Sequence, residues 1–490
     1  MGILTRYNYC EIILLVNFEI TYNRFKIMKL VHKFLLLGLG TFILSLVGLY
    51  NGYPLVYSDT GTYIYSGFDV FVPFDRPITY GLFLKFFSFK YSAWFVLLFQ
   101  NLISAFVILE CLKVFFNDYK KLKIIFPITL LFLVVLTGIG WYSNQLMPDF
   151  FAPLVILTYF TLLLRKNISI LPKTILILIL TYGLITHFSH LMIGGVLAIL
   201  AVSAKLIYKE KLDEISLKRI VFISSLVLSS WFILPTINYI VEKKYTLSKG
   251  SHVFLMGHLV DTGILDDFLK ENCAKPSYKN CRLCAFKDSL PNEATSFIWS
   301  GDILNKTGGW ENSKTEYDKI ISATLTEPKY LFKHLFKSFS YGLIQLTDNQ
   351  IGHGLTAYNE GSAPYGQIHW RFYNELNNYL NSRQNKWDGI NLHLETINTS
   401  HTVLLLLSLC IVLLLITSSS FKSIEKKTKI FLLFVLIAII LNSFITAGLN
   451  SPYGRLQTRV VWLLPFAISI LLLKNYKAIA KSIYTQIDVK

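Results

Sequence analysis

Two acidic residues, Asp59 and Asp149, stand in short polar segments that directly adjoin long apolar stretches. Asp59 lies in the motif YSDTGTY, and Asp149 ends the segment WYSNQLMPD. A carboxylate at such a position can take the proton of an attacking hydroxyl, and a second one can orient a substrate or hold a divalent metal. We therefore predict both as catalytic residues. The cofactor is not indicated by the sequence, with a divalent metal ion as the candidate.

Cationic and imidazole side chains occur in segments of the same kind. Arginine binds phosphate through two parallel hydrogen bonds and keeps its charge near lipid. Histidine can contact a phosphate or a substrate hydroxyl. The predicted substrate- and phosphate-binding residues are Arg76, His187, His190, Arg455 and Arg459.

Each of these residues also has a structural explanation, which the sequence leaves open. Asp59 is placed to cap a surface helix, and Asp149 to complement the dipole at a helix start. His187 and His190 suit polar caps of a helical hairpin. The arginines of the last loop are suited to snorkelling toward lipid head groups.

The composition explains why such polar segments are informative. Of 490 residues, 53% are hydrophobic and only 16% are charged, against about a quarter charged in soluble domains. This excludes a cytosolic enzyme, a disordered chain and a disulfide-dense secreted scaffold. The net charge of +17 is explained by membrane topology, so we expect no nucleic-acid partner.

Nine apolar stretches are interpreted as ten helices that cross a bilayer, since a crossing helix needs about 20 mainly apolar residues. The stretch 168–208 is read as two spans that meet at a tight hairpin around His187. The predicted spans are 34–50, 92–116, 124–141, 150–164, two within 168–208, 220–241, 401–417, 430–448 and 460–473.

Lysine and arginine cluster after the second, fourth, sixth, eighth and tenth spans and before the first, which predicts that both termini are cytoplasmic. The expected fold is an all-α polytopic membrane protein with about ten transmembrane helices, external surface helices and one large mixed external segment. All the candidate site residues then share the extracytoplasmic face of the inner (plasma) membrane. The predicted regions are a cytoplasmic N-terminus (1–32), a seven-span module (33–241), a large extracytoplasmic region (242–400), three further spans (401–473) and a cytoplasmic tail (474–490).

Cysteine spacing and the N-terminus give smaller indications. Cys273, Cys281 and Cys284 lie in the predicted external region, where one disulfide is expected and a zinc site would need a further ligand. The sequence has no cleavable signal, and Met28 is a candidate alternative start.

Aromatic and amphipathic segments also fall outside the predicted spans. The stretches 78–89 and 328–346 combine apolar residues with lysines and predict surface helices. Four tryptophans lie outside the spans, where they suit either sugar stacking or an interfacial position. They are Trp299, Trp310, Trp370 and Trp387.

These motifs resemble the GT-C superfamily of membrane glycosyltransferases, such as the protein mannosyltransferases and the lipid A aminoarabinose transferase. Asp59 has the place of the family's acid after the first span, although the usual acidic pair is here Asp59-Thr60. The stretch Arg76–Gly81, RPITYG, is similar to the family's Arg-Pro-Pro-Gly-Tyr-Pro motif, and Pro148-Asp149 to its second acidic position. The resemblance covers spans one to seven, about residues 30–241, and weakly the last loop.

The resemblance implies a sugar donor linked to polyprenyl phosphate and a glycan, lipid or protein acceptor. Asp59 would act as the general base and Asp149 as the second acid. Arg455, Arg459 or a divalent metal would neutralise the leaving phosphate.

Two other functions remain open. An O-antigen-type polymerase or ligase would depend more on loop residues such as His369, Arg371 and Arg455 than on Asp59. A polysaccharide or lipid transporter would carry charged or Gly/Pro-broken segments in mid-membrane, whereas the predicted span centres are mostly apolar.

Overall fold

The chain folds almost entirely into α-helices, in agreement with its long apolar stretches. The structure, a computed structural model, describes residues 31–210, 212–386, 393–418, 420–448 and 450–487. Helices account for 76% of it, and these ranges contain no β-strand. The large segment expected to be mixed is helical as well. That part of the prediction was wrong, because its short amphipathic helices bury their apolar sides against each other.

The first half of the chain supplies ten helices. They are α1 (Val31–Asn51), α2 (Thr60–Asp69), α3 (Thr79–Phe87), α4 (Ala93–Leu112), α5 (Tyr119–Leu136), α6 (Ile139–Ser143), α7 (Phe151–Leu164), α8 (Ile170–Ile185), α9 (Phe188–Ile207) and α10 (Leu217–Glu242).

The second half begins with several short helices and ends with long apolar ones. These are α11 (Ser251–Asp261), α12 (Ile264–Asn272), α13 (Ala294–Trp299), α14 (Asp302–Lys306), α15 (Gly309–Asn312), α16 (Lys314–Thr326), α17 (Pro328–Thr347), α18 (Ala363–Arg371), α19 (Leu376–Leu380), α20 (Arg383–Lys386), α21 (Leu394–Thr417), α22 (Ser420–Ser423), α23 (Lys426–Gly448), α24 (Gly454–Val461) and α25 (Leu463–Ile487).

Seven helical stretches in the described residues are long and apolar enough to cross a bilayer, which indicates a membrane-embedded protein. They are α1, α4, α9, α10, α21, α23 and the continuous stretch Gly454–Tyr476. The other three predicted spans correspond to α5, α7 and α8, which have 18, 14 and 16 residues. The first turns of α5 carry three lysines. Helix length and composition therefore support seven of the ten predicted spans.

Helix α7, which follows Asp149, is the longest of the described helices in which every residue is buried. All 14 of its residues are buried, and it packs against α4, α8, α10 and α23. A helix that is apolar on every side is expected at the centre of a large helical assembly. Its start, where Asp149 lies, is thereby fixed by the surrounding helices.

The described residues form two hydrophobic cores rather than one. The larger belongs to the bundle of apolar helices. The smaller runs from Val253 to Tyr330 and belongs to helices α11–α16 with the start of α17, which we call the inserted domain. A disulfide joins Cys273 to Cys284, as predicted for this region, and Cys281 is free.

The chain after the inserted domain returns to the larger core. Ile351, Leu355, Ile368, Phe372 and Tyr379 are all buried there. The predicted 242–400 region therefore has two parts with different packing: an inserted domain with its own core, and a returning segment that covers the bundle.

Helix α17 is the surface helix predicted for 328–346. Phe332, Phe336 and Phe339 are exposed on one side. The other side follows α23, where the Ser338 hydroxyl donates to the Gly448 carbonyl at 3.1 Å. An exposed apolar side beside a membrane span is suited to contact with lipid.

Helix α3, predicted as a surface helix over 78–89, is more deeply packed than expected. Phe86 is exposed, but Tyr80 is fully buried, and its hydroxyl donates to Gln100 Oε1 of α4 at 2.6 Å. The helix is thus a part of the bundle that supports the first loop.

Some predictions fall on residues outside the described ranges. These are most of the cytoplasmic N-terminus with Met28 and Cys10, the last residues of the tail, and Trp387.

Candidate functional site

The two loops that carry the predicted acids are joined through their backbones. The Leu55 amide donates to the Asn144 carbonyl at 2.9 Å, and the Leu146 amide donates to the Leu55 carbonyl at 2.8 Å. These bonds form an isolated parallel β-bridge between the loops. Asp59 and Asp149 are consequently held on the same side of the bundle, as the predicted topology requires.

The returning segment fixes the first loop from the other side. The buried Glu375 carboxylate accepts from the Tyr53 hydroxyl at 3.0 Å and from the Ala93 amide at 3.1 Å. The Gln384 side chain bonds both the amide and the carbonyl of Val56, at 3.1 and 2.7 Å. Buried polar groups with satisfied hydrogen bonds make this contact specific. The loop that carries the first acid is therefore rigidly supported.

Helices α2 and α3 approach each other closely at a pair of glycines. A Cβ atom on Gly67 would lie 1.9 Å from the Gly81 carbonyl oxygen, so only glycine fits there. The turn between the two helices carries Asp75 and Arg76. The close approach brings this turn back over Asp59 at the start of α2.

Asp59 precedes α2, but its side chain makes no capping hydrogen bond. It instead accepts from Arg76 Nη2 at 3.0 Å, while Arg76 Nη1 donates to the Asp59 carbonyl at 3.2 Å. Arg76 Nε donates to Asp75 at 2.8 Å, and its guanidinium lies 4.8 Å from the Tyr63 ring centre. Arg76 is thus held on three sides and orients Asp59.

Arg455 lies between the two predicted acids. Its Nη2 is 3.6 Å from Asp59 Oδ2, and its Nε is 3.9 Å from Asp149 Oδ1. Its guanidinium covers the Tyr57 ring at 4.0 Å. The residue is only 8% exposed, yet Nε and Nη1 have no hydrogen-bond partner. Buried donors without a partner are uncommon, and this residue therefore has hydrogen bonds available for an anionic ligand.

Arg459, one helical turn later, is fully buried. Its Nη1 donates to Asp149 Oδ1 at 3.1 Å, and its Nη2 donates to Ser189 Oγ at 2.9 Å and to Asn442 Oδ1 at 3.3 Å. Complete burial excludes snorkelling for this residue. Arg459 connects α24 with α9, α23 and the turn before α7.

The two predicted histidines have different surroundings. His187 Nδ1 accepts from the Ser189 amide at 3.2 Å and contacts Ser189 Oγ at 2.8 Å, and the same hydroxyl binds Arg459. His190 Nδ1 contacts the Gly183 carbonyl at 2.9 Å, which ties the end of α8 to α9. His187 therefore belongs to the site, whereas His190 has a supporting structural role between α8 and α9.

Two ionisation states follow from these surroundings. Burial acts to raise the pKa of Asp59, but the charges of Arg76 and Arg455 outweigh it and hold the pKa below its ordinary value. Burial and the charge of Arg459 hold the pKa of His187 well below its ordinary value. At neutral pH the acid is ionised and this imidazole is neutral.

The charges at this site are balanced. We call the group of three acids and three arginines the charged cluster: Asp59, Asp75, Arg76, Asp149, Arg455 and Arg459. If an incoming anion binds Arg455 in place of Asp59, that carboxylate keeps Arg76 as its ionic partner. Within the described residues, no group of three or more His, Cys, Asp or Glu side chains is arranged to hold a metal ion.

A cavity of about 500 Å³, which we call the side cavity, lies next to the charged cluster. Leu191, Trp231 and Ile445, from α9, α10 and α23, supply part of its apolar lining. Asp75 and Ser189 also line it, and each contacts an arginine of the cluster. An apolar cavity with a few convergent polar groups is the usual form of a ligand site.

His369 and Arg371, two of the residues that would serve a polymerase or ligase, lie outside the charged cluster. Arg371 pairs with Asp69 at the end of α2. His369 stacks between Tyr365 and Tyr373, at centroid distances of 5.8 and 5.4 Å. Of the basic residues considered for that function, Arg455 is the one that belongs to the cluster.

Four residues at the site escaped prediction: Tyr57, Asp75, Ser189 and Tyr453. The Tyr57 and Tyr453 hydroxyls contact each other beneath Arg455. All four lie within two positions of a predicted site residue, which is the signal that could have identified them.

Comparisons with protein families, curated proteins and solved structures find no match to this chain. The function is therefore inferred from the charged cluster and the side cavity.

Proposed function

We propose that this chain is an integral membrane glycosyltransferase of the GT-C type. It moves a sugar from a polyprenyl-phosphate-linked donor to a glycan, lipid or protein acceptor on the extracytoplasmic face of the inner membrane. The proposal includes the ten-span topology, with α5, α7 and α8 as the shorter spans and both termini in the cytoplasm. Membrane lipids surround the bundle, and no nucleic acid is involved.

The observation that carries the proposal is the position of Arg455 between Asp59 and Asp149, with two buried donors, Nε and Nη1, that make no hydrogen bond. A donor phosphate offers oxygen atoms that match a guanidinium fork. Once Arg455 binds that phosphate, its hold on Asp59 weakens. The carboxylate then becomes available at the moment when the donor is in position.

The side cavity supports a lipid-linked donor. Part of its apolar lining comes from α9, α10 and α23, three helices that are long and apolar enough to cross the membrane, so a polyprenyl chain can remain in an apolar environment there. Ser189 and Asp75 adjoin the arginines of the cluster, where the donor phosphate would lie. The geometry suits a ligand with an apolar tail and an anionic head.

The proposed reaction is a displacement at the anomeric carbon. A bond forms between the acceptor oxygen and that carbon as the bond to the phosphate oxygen breaks. The acceptor proton passes to Asp59, and the polyprenyl phosphate leaves with the electron pair, its charge compensated by Arg455 and Arg459. Asp149 orients both arginines, and neutral His187 contacts the site through Ser189.

The proposal is tested by the substitution Asp59→Asn. Loss of a general base lowers transfer by about a hundredfold or more. The assay measures transfer and polyprenyl-phosphate release from synthetic donors by the purified, inserted protein. The matched control is Asp69→Asn, which removes a charge from the other end of α2. Full transfer by an inserted Asp59→Asn protein would exclude the assigned role.

A further inference from the structure

Four aromatic rings form a continuous patch at the edge of the inserted domain, which we call the aromatic platform. Trp310 stacks on Phe74 with centroids 6.0 Å apart. It also contacts Phe254 at 5.8 Å and Trp299 at 5.7 Å, and Phe254 contacts Trp299 at 6.4 Å. The rings come from the first loop and from three separate helices, α11, α13 and α15. Tertiary packing therefore assembles them.

The platform presents part of its surface to the outside. Trp299 is 54% exposed, and Trp310 is partly exposed. A Cβ atom on Gly250 would lie 2.8 Å from the Trp310 ring, so the ring rests directly on the backbone and is fixed in orientation. Trp299 is thus the one exposed ring of the four, and Phe74, Phe254 and Trp310 are half-buried beside it, which makes the platform a candidate contact site for a ligand or a partner.

The aromatic platform is continuous with the side cavity. Phe254 belongs to both, and Asp75, which bonds Arg76 of the charged cluster, lines the cavity as well. Ser251 and Lys314 add a hydroxyl and an ammonium group to the same cavity wall. A ligand that covers the platform therefore meets the side cavity at its α11 wall, whereas the polyprenyl chain is assigned to the apolar lining from α9, α10 and α23.

We propose that the aromatic platform binds a pyranose ring of the acceptor, and that the acceptor is accordingly a glycan chain or glycolipid. This inference rests on the proposed glycosyl transfer and names the acceptor class left open there. A pyranose has C–H faces that pack against flat rings and hydroxyls around its edge that need donors and acceptors. The tryptophan rings offer flat surfaces to the C–H faces, and Ser251, Lys314 and Asp75 offer hydrogen-bond donors and acceptors to the hydroxyls.

The experiment measures saccharide binding by the full chain in lipid nanodiscs. Calorimetric titrations use mannohexaose, cellohexaose and chitohexaose as probes. We expect the wild type to bind at least one of them, and Trp299→Ala and Trp310→Ala to weaken that binding about tenfold each. The matched control is Trp370→Ala, because Trp370 is also a tryptophan outside the spans, is 70% exposed and lies on α18. Its affinity should equal that of the wild type.

Binding is measured without transfer, so the two proposals can fail separately. Full transfer by Asp59→Asn together with weakened binding by the tryptophan variants would remove the catalytic assignment and leave the platform.

Two kinds of result overturn the acceptor inference. One is a binding result: no probe binds, or both platform variants bind like the wild type. The other is that brominated phosphatidylcholine in the nanodisc quenches the fluorescence contributed by Trp299, which would make the platform a membrane anchor.

Discussion

Arg459 and Asp149 are separated by 310 residues in the chain, yet they form a fully buried ion pair with Nη1 and Oδ1 3.1 Å apart. The pair joins the last apolar stretch to the turn that begins α7. Two buried charges are tolerated when they are paired and hydrogen-bonded, but the loss of one partner leaves the other uncompensated. This pair is therefore the most sensitive structural contact of the charged cluster.

Replacement of Arg459 should destabilise the whole bundle. We expect Arg459→Met to lower the free energy of unfolding by about 3–5 kcal/mol, because Asp149 then stays buried without its cation. The double variant Arg459→Met, Asp149→Asn should recover part of the loss. The measurement is reversible unfolding in detergent. The control is Arg371→Met, whose partly exposed pair with Asp69 should contribute about 1 kcal/mol or less. Equal effects of the two single substitutions would contradict the prediction.

Gly454 should be intolerant of even one added carbon. A Cβ atom there would lie 2.6 Å from Asp348 Oδ1 and 3.0 Å from His353 Nδ1, on the returning segment that adjoins Arg455. Gly454→Ala should displace the Asp348 and His353 side chains and reduce the proposed transfer about tenfold or more, as small misplacements of catalytic groups do. Gly366→Ala is the matched control, since that helical position has open space around its Cβ. The measurement compares the transfer rates of Gly454→Ala and Gly366→Ala. Wild-type transfer by Gly454→Ala would contradict the prediction.

The lowered pKa of Asp59 predicts how stability and transfer depend on pH. Its pKa is lower in the folded protein than in the unfolded chain, so its stabilising contribution is present above the unfolded value of about 4 and is lost as the pH falls through the folded value. In the pH–rate profile, the acidic limb, where protonation of Asp59 lowers the transfer rate, should therefore lie below pH 4. Arg76→Gln removes the strongest lowering charge and should move that limb upward. Identical acidic limbs in the two pH–rate profiles would exclude this coupling.

The disulfide should stabilise the inserted domain. Cys273 and Cys284 close a short loop, with a sequence separation of 11. Cys273→Ser should therefore cost about 2–3 kcal/mol by the chain-entropy estimate for loops of this size. Limited proteolysis under native conditions should cut this variant within the inserted domain before the bundle. Cys281→Ser is the control, because Cys281 is free. Equal protease resistance of the two variants would show that the bond is dispensable.

The sequence determined the helical elements and the residue types at the site. Apolar stretches of about 20 residues must form helices in a bilayer, since every backbone polar group needs an internal partner. Polar and charged residues are then confined to the ends of these helices. For this reason Asp59, Arg76, Asp149, His187 and Arg455 could be proposed as candidate site residues from the sequence, although the number of spans could not be fixed for the short helices.

Only the tertiary structure decided which of these residues lie together. The contacts of Arg459 with Asp149 and Ser189, the place of Arg455 over Tyr57, and the aromatic platform join residues far apart in the chain. Periodicity and composition are local properties, whereas these contacts depend on how whole helices pack. The same reason explains the separation of the inserted domain from the returning segment, because a hydrophobic core is defined by packing between elements and not by sequence order.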